Sequence, residues 1–244
     1  EDIPLAEVIA TATRWRGAGV AVRGVEIDHD CATAKLPAYA AWLARSRPPA
    51  PLAWSITALP TWRGSAALAA VAAAVDEVVV QVHAVRAPTV FDRAEAQADV
   101  AAFARAVPPA KLRVAVPTYD AMVRGALRRS VPEEVAALVR WLETTAAPPV
   151  AGVVWFRLPV RGDDRAWSAE TLSAVIAGAP LVATIAPRLV ATADGMFDVV
   201  VENRGNRAGR LPDLALDGAA VRAELIGGYV AAEGGSHRFT ATAR

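Results

Sequence analysis

Three carboxylates crowd one short stretch, Gly24-Val25-Glu26-Ile27-Asp28-His29-Asp30. Glu26, Asp28 and Asp30 stand at i, i+2 and i+4, with Val25 before the first and Ile27 between the first two. In a strand, alternate side chains share a face. The three acids are therefore expected on one face and the apolar pair on the other. Carboxylates crowded together repel one another and resist desolvation. Such a cluster suits binding cations or moving protons, and it is the sharpest chemical signal in the sequence.

Comparable residues recur at the ends of four later strand candidates. The second offers Ser55 and Thr57, with Trp62 in the loop beyond. The third offers Gln81 and His83, the fourth Arg113 and Tyr119, the fifth Trp155 and Arg157. Taken as one constellation on one alternation phase, they fit glycoside chemistry: carboxylates, aromatic platforms and hydrogen-bond donors in an open groove. A carboxyl group among acidic neighbours is suited to protonate a leaving oxygen. Asp30, nearest the mouth of the strand, is expected to be that acid. Asp28 would tune it or touch the substrate, and Glu26 would lie deeper. Trp62, Tyr119 and Trp155 would stack on sugar rings, while Gln81, His83 and Arg157 would contact the substrate's polar groups.

Each residue also has a plain structural reading. Glu26 can pair with Arg113, since buried charges are normally paired. Asp28 and Asp30 can be solvated strand-end residues, His83 a structural histidine, and Trp155 part of the core. The run Arg161, Asp163, Asp164, Arg165 reads as a solvated loop.

The elements that must position these residues follow from periodicity. Helices are expected over 3–16, 34–46, 65–74, 92–106, 132–145 and 167–177. Strands are expected over Val20–Asp28, Leu52–Leu59, Glu77–His83, Leu112–Thr118 and Gly152–Leu158. Pro48-Pro49, Pro108-Pro109 and Pro148-Pro149 punctuate the pattern. Five β-loop-α units of this length argue a parallel sheet with helices outside it. Their C-terminal strand ends are where such folds place their chemistry. No Gly-rich phosphate fingerprint follows any strand, which disfavours an open nucleotide-binding sheet. From Arg188 short strand candidates take over: Leu189–Thr192, Met196–Glu202, Leu214–Leu216, Ala220–Leu225 and His237–Ala241. The expected organisation is thus an α/β portion over 1–180, an open doubly wound sheet or most of a (β/α)₈ barrel, and a small β-rich region over 188–244.

Composition excludes several classes. With 26 basic and 25 acidic residues among 244, and no basic run interleaved with aromatics, nucleic acid is not an expected partner. No unbroken apolar window reaches about 18 residues, so no spanning helix is expected. One cysteine, Cys31, rules out an internal disulfide and reads as a small buried residue. The opening residues lack the charged and apolar regions of a signal peptide. Only His29, His83 and His237 are available as imidazole ligands, and no zinc spacing occurs. A metal-dependent hydrolase therefore ranks last, and no cofactor is expected.

Several motifs together carry a resemblance. Val25 to Thr33, Ser55 to Pro60, the pair Gln81 and His83, Pro117-Thr118-Tyr119, and Val154 to Pro159 resemble the bacterial domain of unknown function 3142 family over roughly residues 20 to 180. The resemblance implies a glycoside hydrolase-like (β/α)₈ barrel, a carbohydrate ligand and export. It further implies that the five strands are the fourth to eighth of the barrel, the first three being absent from this chain. The alternating acids also resemble the strand-four motif of chitinase-type barrels, which ends in Glu; here Asp30 stands one methylene shorter. A non-catalytic glycan-binding or envelope protein that keeps the groove is the rival reading, because no second well-spaced carboxylate appears on the later strands.

Overall fold

The computed structural model of the chain describes residues 5–84, 89–192, 195–217, 228–231 and 238–242. The chain divides into two units, Glu1–Trp167 and Ser168–Arg244. The first alternates strand and helix: α1 Leu5–Gly17, β1 Gly24–Asp28, α2 Leu36–Arg45, β2 Ala53–Ala58, α3 Leu68–Ala74, β3 Glu77–Gln81, α4 Arg93–Phe103 and β4 Leu112–Pro117. A short hairpin of β5 Ala121–Val123 and β6 Ala126–Arg128 follows, then α5 Pro132–Leu142 and β7 Gly152–Phe156.

The five long strands form one parallel sheet in the order β1-β2-β3-β4-β7. Parallel neighbours joined through helices are what the β-loop-α period dictates. Local chemistry sets the helix starts. Asp92 caps α4 by accepting from the Glu95 amide at 3.0 Å, and Pro132 opens α5 where its missing N–H costs nothing.

Register assigns the two faces. Glu26 lies opposite Ser55 and Asp28 opposite Thr57, Ser55 opposite Glu77, and Gln81 opposite Ala115. The helix-side phase is apolar and buried: Val25, Ile27, Trp54, Ile56, Val78, Val80, Val114 and Val116. Leu36 and Leu43 of α2, Val71 of α3, Phe103 of α4 and Leu138 of α5 are fully enclosed as well. Each such side chain contributes about 1.5–3 kcal/mol relative to exposure, so this helix–sheet layer is the dominant stabilising term. Trp54 adds a hydrogen bond from its indole nitrogen to the Leu43 carbonyl at 3.2 Å. The opposite phase carries Glu26, Asp28, Ser55, Thr57, Glu77, Gln81 and Arg113, with Val79 and Ala115 buried among them.

Gly24 lets β1 approach β2. A Cβ there would stand 2.5 Å from the Ala53 carbonyl oxygen and 2.9 Å from the Ala53 Cβ. Backbone cannot yield as a flexible side chain can. Gly24→Ala is expected to destabilise the chain by about 2 kcal/mol, a typical overpacking cost, measured as a lowered urea midpoint at unchanged slope. An unchanged midpoint would show that β1 shifts without penalty.

The second unit holds α6 Ala169–Ile176, capped by the Ser168 hydroxyl, which accepts from the Thr171 amide at 3.2 Å. An antiparallel pair follows, β8 Ile185–Ala191 with β9 Phe197–Asn203. A three-stranded sheet then has the order β10-β12-β11, from Leu214–Ala215, Arg238–Ala241 and Tyr229–Ala231. The expected strand Ala220–Leu225 and residue His237 lie outside the described residues. Among the described residues, no helix is long and apolar enough to cross a membrane.

Candidate active-site groove

Polar side chains occupy this face on four strands of five, with Asp28, Thr57 and Gln81 toward the C-terminal strand ends and Glu77 and Arg113 at the N-terminal ends of β3 and β4. Glu26 and Asp28 are exposed on β1, while Val25 and Ile27 are buried on its other face. Glu26 accepts a hydrogen bond from the Thr57 hydroxyl at 2.7 Å. Its expected partner Arg113 is engaged elsewhere, in an ion pair with Glu77 across β3 and β4. Two charges held on neighbouring strands satisfy each other locally, which leaves Glu26 to a hydroxyl donor.

Asp30 sits beyond the end of β1. The chain turns there, with the Cys31 amide donating to the His29 carbonyl at 2.7 Å. Asp30 is therefore exposed beyond the C-terminal end of β1 by virtue of this turn, not by strand alternation. Two contacts fix the turn. The Trp62 indole N–H donates to the Cys31 carbonyl at 2.8 Å, and the Thr33 hydroxyl donates to the Thr61 carbonyl at 3.1 Å.

That geometry corrects the expectation for Trp62. It belongs to the one-turn helix Pro60–Trp62, is fully buried, and meets Tyr39 edge-on at 6.0 Å. An enclosed indole has no face to offer a sugar, so Trp62 supports the Asp30 turn from within. Tyr39 also packs against His29 at 5.5 Å, and burial together with nearby Cys31 and Asp28 pushes its hydroxyl far above its ordinary range. Cys31 is buried, and burial likewise raises its thiol.

A second cluster forms at the ends of β3, β4 and β7. His83 is only 4% exposed and stacks on Phe156 with ring centroids 5.5 Å apart. Tyr119 meets both rings edge-on, and its hydroxyl lies 3.4 Å from His83 Nδ1. Burial lowers the His83 pKa to about 4, so the ring is neutral at neutral pH. Its Nε2 is enclosed without a hydrogen-bond partner. Gln81 donates to the His83 carbonyl at 3.0 Å. Arg157 lies over the Tyr119 ring at 5.5 Å and grips Asp163 through Nε and Nη2 at 2.7 and 2.8 Å.

On the fifth strand the alternation runs the other way. Ala115 pairs with Val154 and Pro117 with Phe156, whereas Trp155 pairs with Val116. Trp155 thus shares the helix-side phase, and Phe156 is the aromatic on the groove side. The apolar run Gly152–Phe156 carries no polar alternation of its own, so only its register with β4 decides which residue faces in. Asp163, expected in a solvated loop, is a structural anchor. Besides Arg157 it accepts from the Arg165 and Ala166 amides at 3.1 and 3.3 Å, and the Arg157 hydrogen bond, opposed by desolvation, leads in holding its carboxyl below the usual range. Among the described residues, no group of three or more His, Cys, Asp or Glu is arranged to hold a metal ion.

The sheet and its helices form a mixed α/β fold shared with chitinases. A chitinase from Chromobacterium violaceum superposes with a TM-score of 0.53 at 14% identity, over 71% of this chain and 70% of that one. A GH18 chitinase from Pseudoalteromonas aurantia does so with a TM-score of 0.50 at 14% identity, over 72% and 68%. The spore cortex-lytic enzyme SleL of Bacillus cereus is looser, with a TM-score of 0.41 at 18% identity over 57% of this chain and 36% of that one. No match is found among curated proteins. The chain belongs to the family described as Domain of unknown function (DUF3142), whose model matches residues 3–131, from the first helix through the β5–β6 hairpin.

Proposed function

We propose that this protein is glycoside hydrolase-like, acting on a polysaccharide by carboxylate acid/base chemistry at the C-terminal ends of its strands. The observation that carries the reading is the pair Asp28 and Asp30. Both are exposed at the groove end of β1, and neither is ion-paired among the described residues. Asp30 is assigned as the acid, with Asp28 and Glu26 shaping its field. Tyr119, Phe156, Gln81 and Arg157 offer ring faces and polar groups to the ligand, over the neutral His83. The five strands correspond, in this reading, to the fourth to eighth of an eight-stranded barrel. A polymeric substrate goes with export to the cell envelope.

The likeness to chitinases supports the fold beneath this reading and suggests β-linked amino-sugar polymers as first substrates to try. The test is a joint screen of chitin, peptidoglycan and neutral polysaccharides, scoring reducing-end release and binding on the same samples. New reducing ends on one polymer are the expected result. A second reading, a glycan-binding protein without turnover, is favoured by one specific observation. Asp164 excepted, the carboxylates at the ends of the other strands and in the loops after β4 and β7 are committed: Glu77 to Arg113, Asp120 to the Ser130 amide and Arg129, Asp163 to Arg157. Binding without cleavage would select that reading, and neither signal on any polymer would sink both.

A further inference from the structure

From the interaction surfaces we infer that the lip formed by the β5–β6 hairpin and the loop after β7 docks on an anionic lipid surface. This inference does not depend on what the groove binds.

The hairpin is a compact device. Arg124 and Gly125 both adopt positive φ, 51° and 76°, which makes the two-residue turn that matches strand twist. Met122 and Leu127 are directly opposed across it. They are 50% and 49% exposed, so the cross-strand apolar pair stands in solvent. The neighbouring loop carries Leu158 and Val160, 66% and 67% exposed.

These segments leave from one base. The Asp120 amide donates to the Arg165 carbonyl at 2.7 Å, and Tyr119 bridges Ala166. The Ser130 hydroxyl donates to the Tyr119 carbonyl at 2.8 Å, and the Trp167 indole donates to Ser130. A braced hairpin presenting bare apolar side chains is not explained by the fold beneath it. Exposed apolar side chains held on two segments that share a base mark an interaction site.

Charge selects the partner. Arg124, Arg128, Arg161 and Arg165 are exposed and have no ion pair among the described residues. Of the nearby acids, Asp163 is held by Arg157, and Asp120 by the Ser130 amide and Arg129. Only Asp164 remains to oppose four free guanidinium groups. Apolar tips among unpaired arginines suit the boundary between anionic headgroups and acyl chains. A soluble polyanion would use the arginines and leave Met122 and Leu127 idle. Among the described residues β5 and β6 pair only with each other, which leaves their outer backbone edges open, so insertion stops at headgroup depth.

The test is flotation of the full chain with vesicles of phosphatidylglycerol and phosphatidylcholine, against phosphatidylcholine alone. Binding to the anionic vesicles only is expected. Arg124→Ser/Arg128→Ser should weaken partition about 30-fold, from roughly 1 kcal/mol per arginine at such a surface. Met122→Ser/Leu127→Ser should weaken it as clearly while leaving the thermal midpoint unchanged, since both side chains are already exposed. No flotation with anionic vesicles overturns the inference, as does flotation that ignores both double variants. Dependence on the arginines alone, matched by retention on dextran sulfate, would assign the lip to an anionic polymer and overturn the lipid reading.

Discussion

Asp30→Asn is expected to lower turnover by at least about 100-fold on any polysaccharide the protein cleaves, with the fold intact. The amide keeps the shape of the carboxyl but has no proton to give, and a positioned general acid contributes roughly 10²–10⁴. The side chain is exposed on a turn braced through main-chain atoms: the Cys31 carbonyl held by Trp62, and Thr61 held by Thr33. None of those bonds involves the Asp30 carboxylate, so the thermal midpoint should move little. Asp28→Asn is the internal comparison. It removes charge from the same end but leaves Asp30 to donate, so its loss should be smaller. Initial rates of reducing-end release for the three proteins decide the matter. Full activity in Asp30→Asn on a confirmed substrate would refute the acid assignment, and a larger loss in Asp28→Asn would transfer the role to the residue that alternation places on the β1 face.

The same turn shows where sequence reasoning reaches and where it stops. Strands with a polar alternation were legible. Val25 and Ile27 against Glu26 and Asp28, or Trp54 and Ile56 against Ser55 and Thr57, fix their faces before any register is known. All five parallel strands and their helices fall where periodicity places them, within a few residues. The fifth strand was not orientable, because Gly152–Phe156 is apolar throughout, and a tryptophan is as suited to a core as to a sugar platform. Trp62 was misplaced for a related reason. A loop position suggested exposure, yet its indole N–H found a carbonyl three elements away in sequence, at Cys31. Such pairings are set by tertiary structure and leave no local trace.

Two features do leave a local trace in the sequence. Arg124-Gly125 between Ala-Met-Val and Ala-Leu-Arg is a two-residue hairpin signal weakened by an arginine where Asn or Asp is usual. Arg157 and Asp163 stand six residues apart with a proline between them, the spacing of a loop closed by its own ion pair. In both cases the local evidence was overshadowed by the stronger strand periodicity on either side.

His83 carries a large pH effect in the acid range. Its ordinary pKa of 6.5 is lowered to about 4 by burial against Phe156 and Tyr119. Between those values the unfolded chain binds a proton that the folded chain refuses. Stability is therefore fully present above about pH 6.5, and falls as pH drops toward 4. The total is about 3 kcal/mol, at 1.36 kcal/mol per unit of pKa difference. His83→Phe should remove this slope. Phenylalanine keeps the stack on Phe156, gives up only a 3.4 Å contact to the half-buried Tyr119, and relieves an Nε2 that has no partner. At pH 7.5 the variant should match or exceed the parent, because an unsatisfied buried polar atom is costly. The ion pairs of Asp76 with Arg47 and of Asp163 with Arg157, whose carboxyls are held below their ordinary values, lose their contribution at lower pH and do so equally in both proteins. Urea midpoints at half-unit intervals from pH 4 to 7.5 isolate the difference. Parallel curves for parent and variant would show that another group titrates in this window and that His83 accepts its proton without resistance.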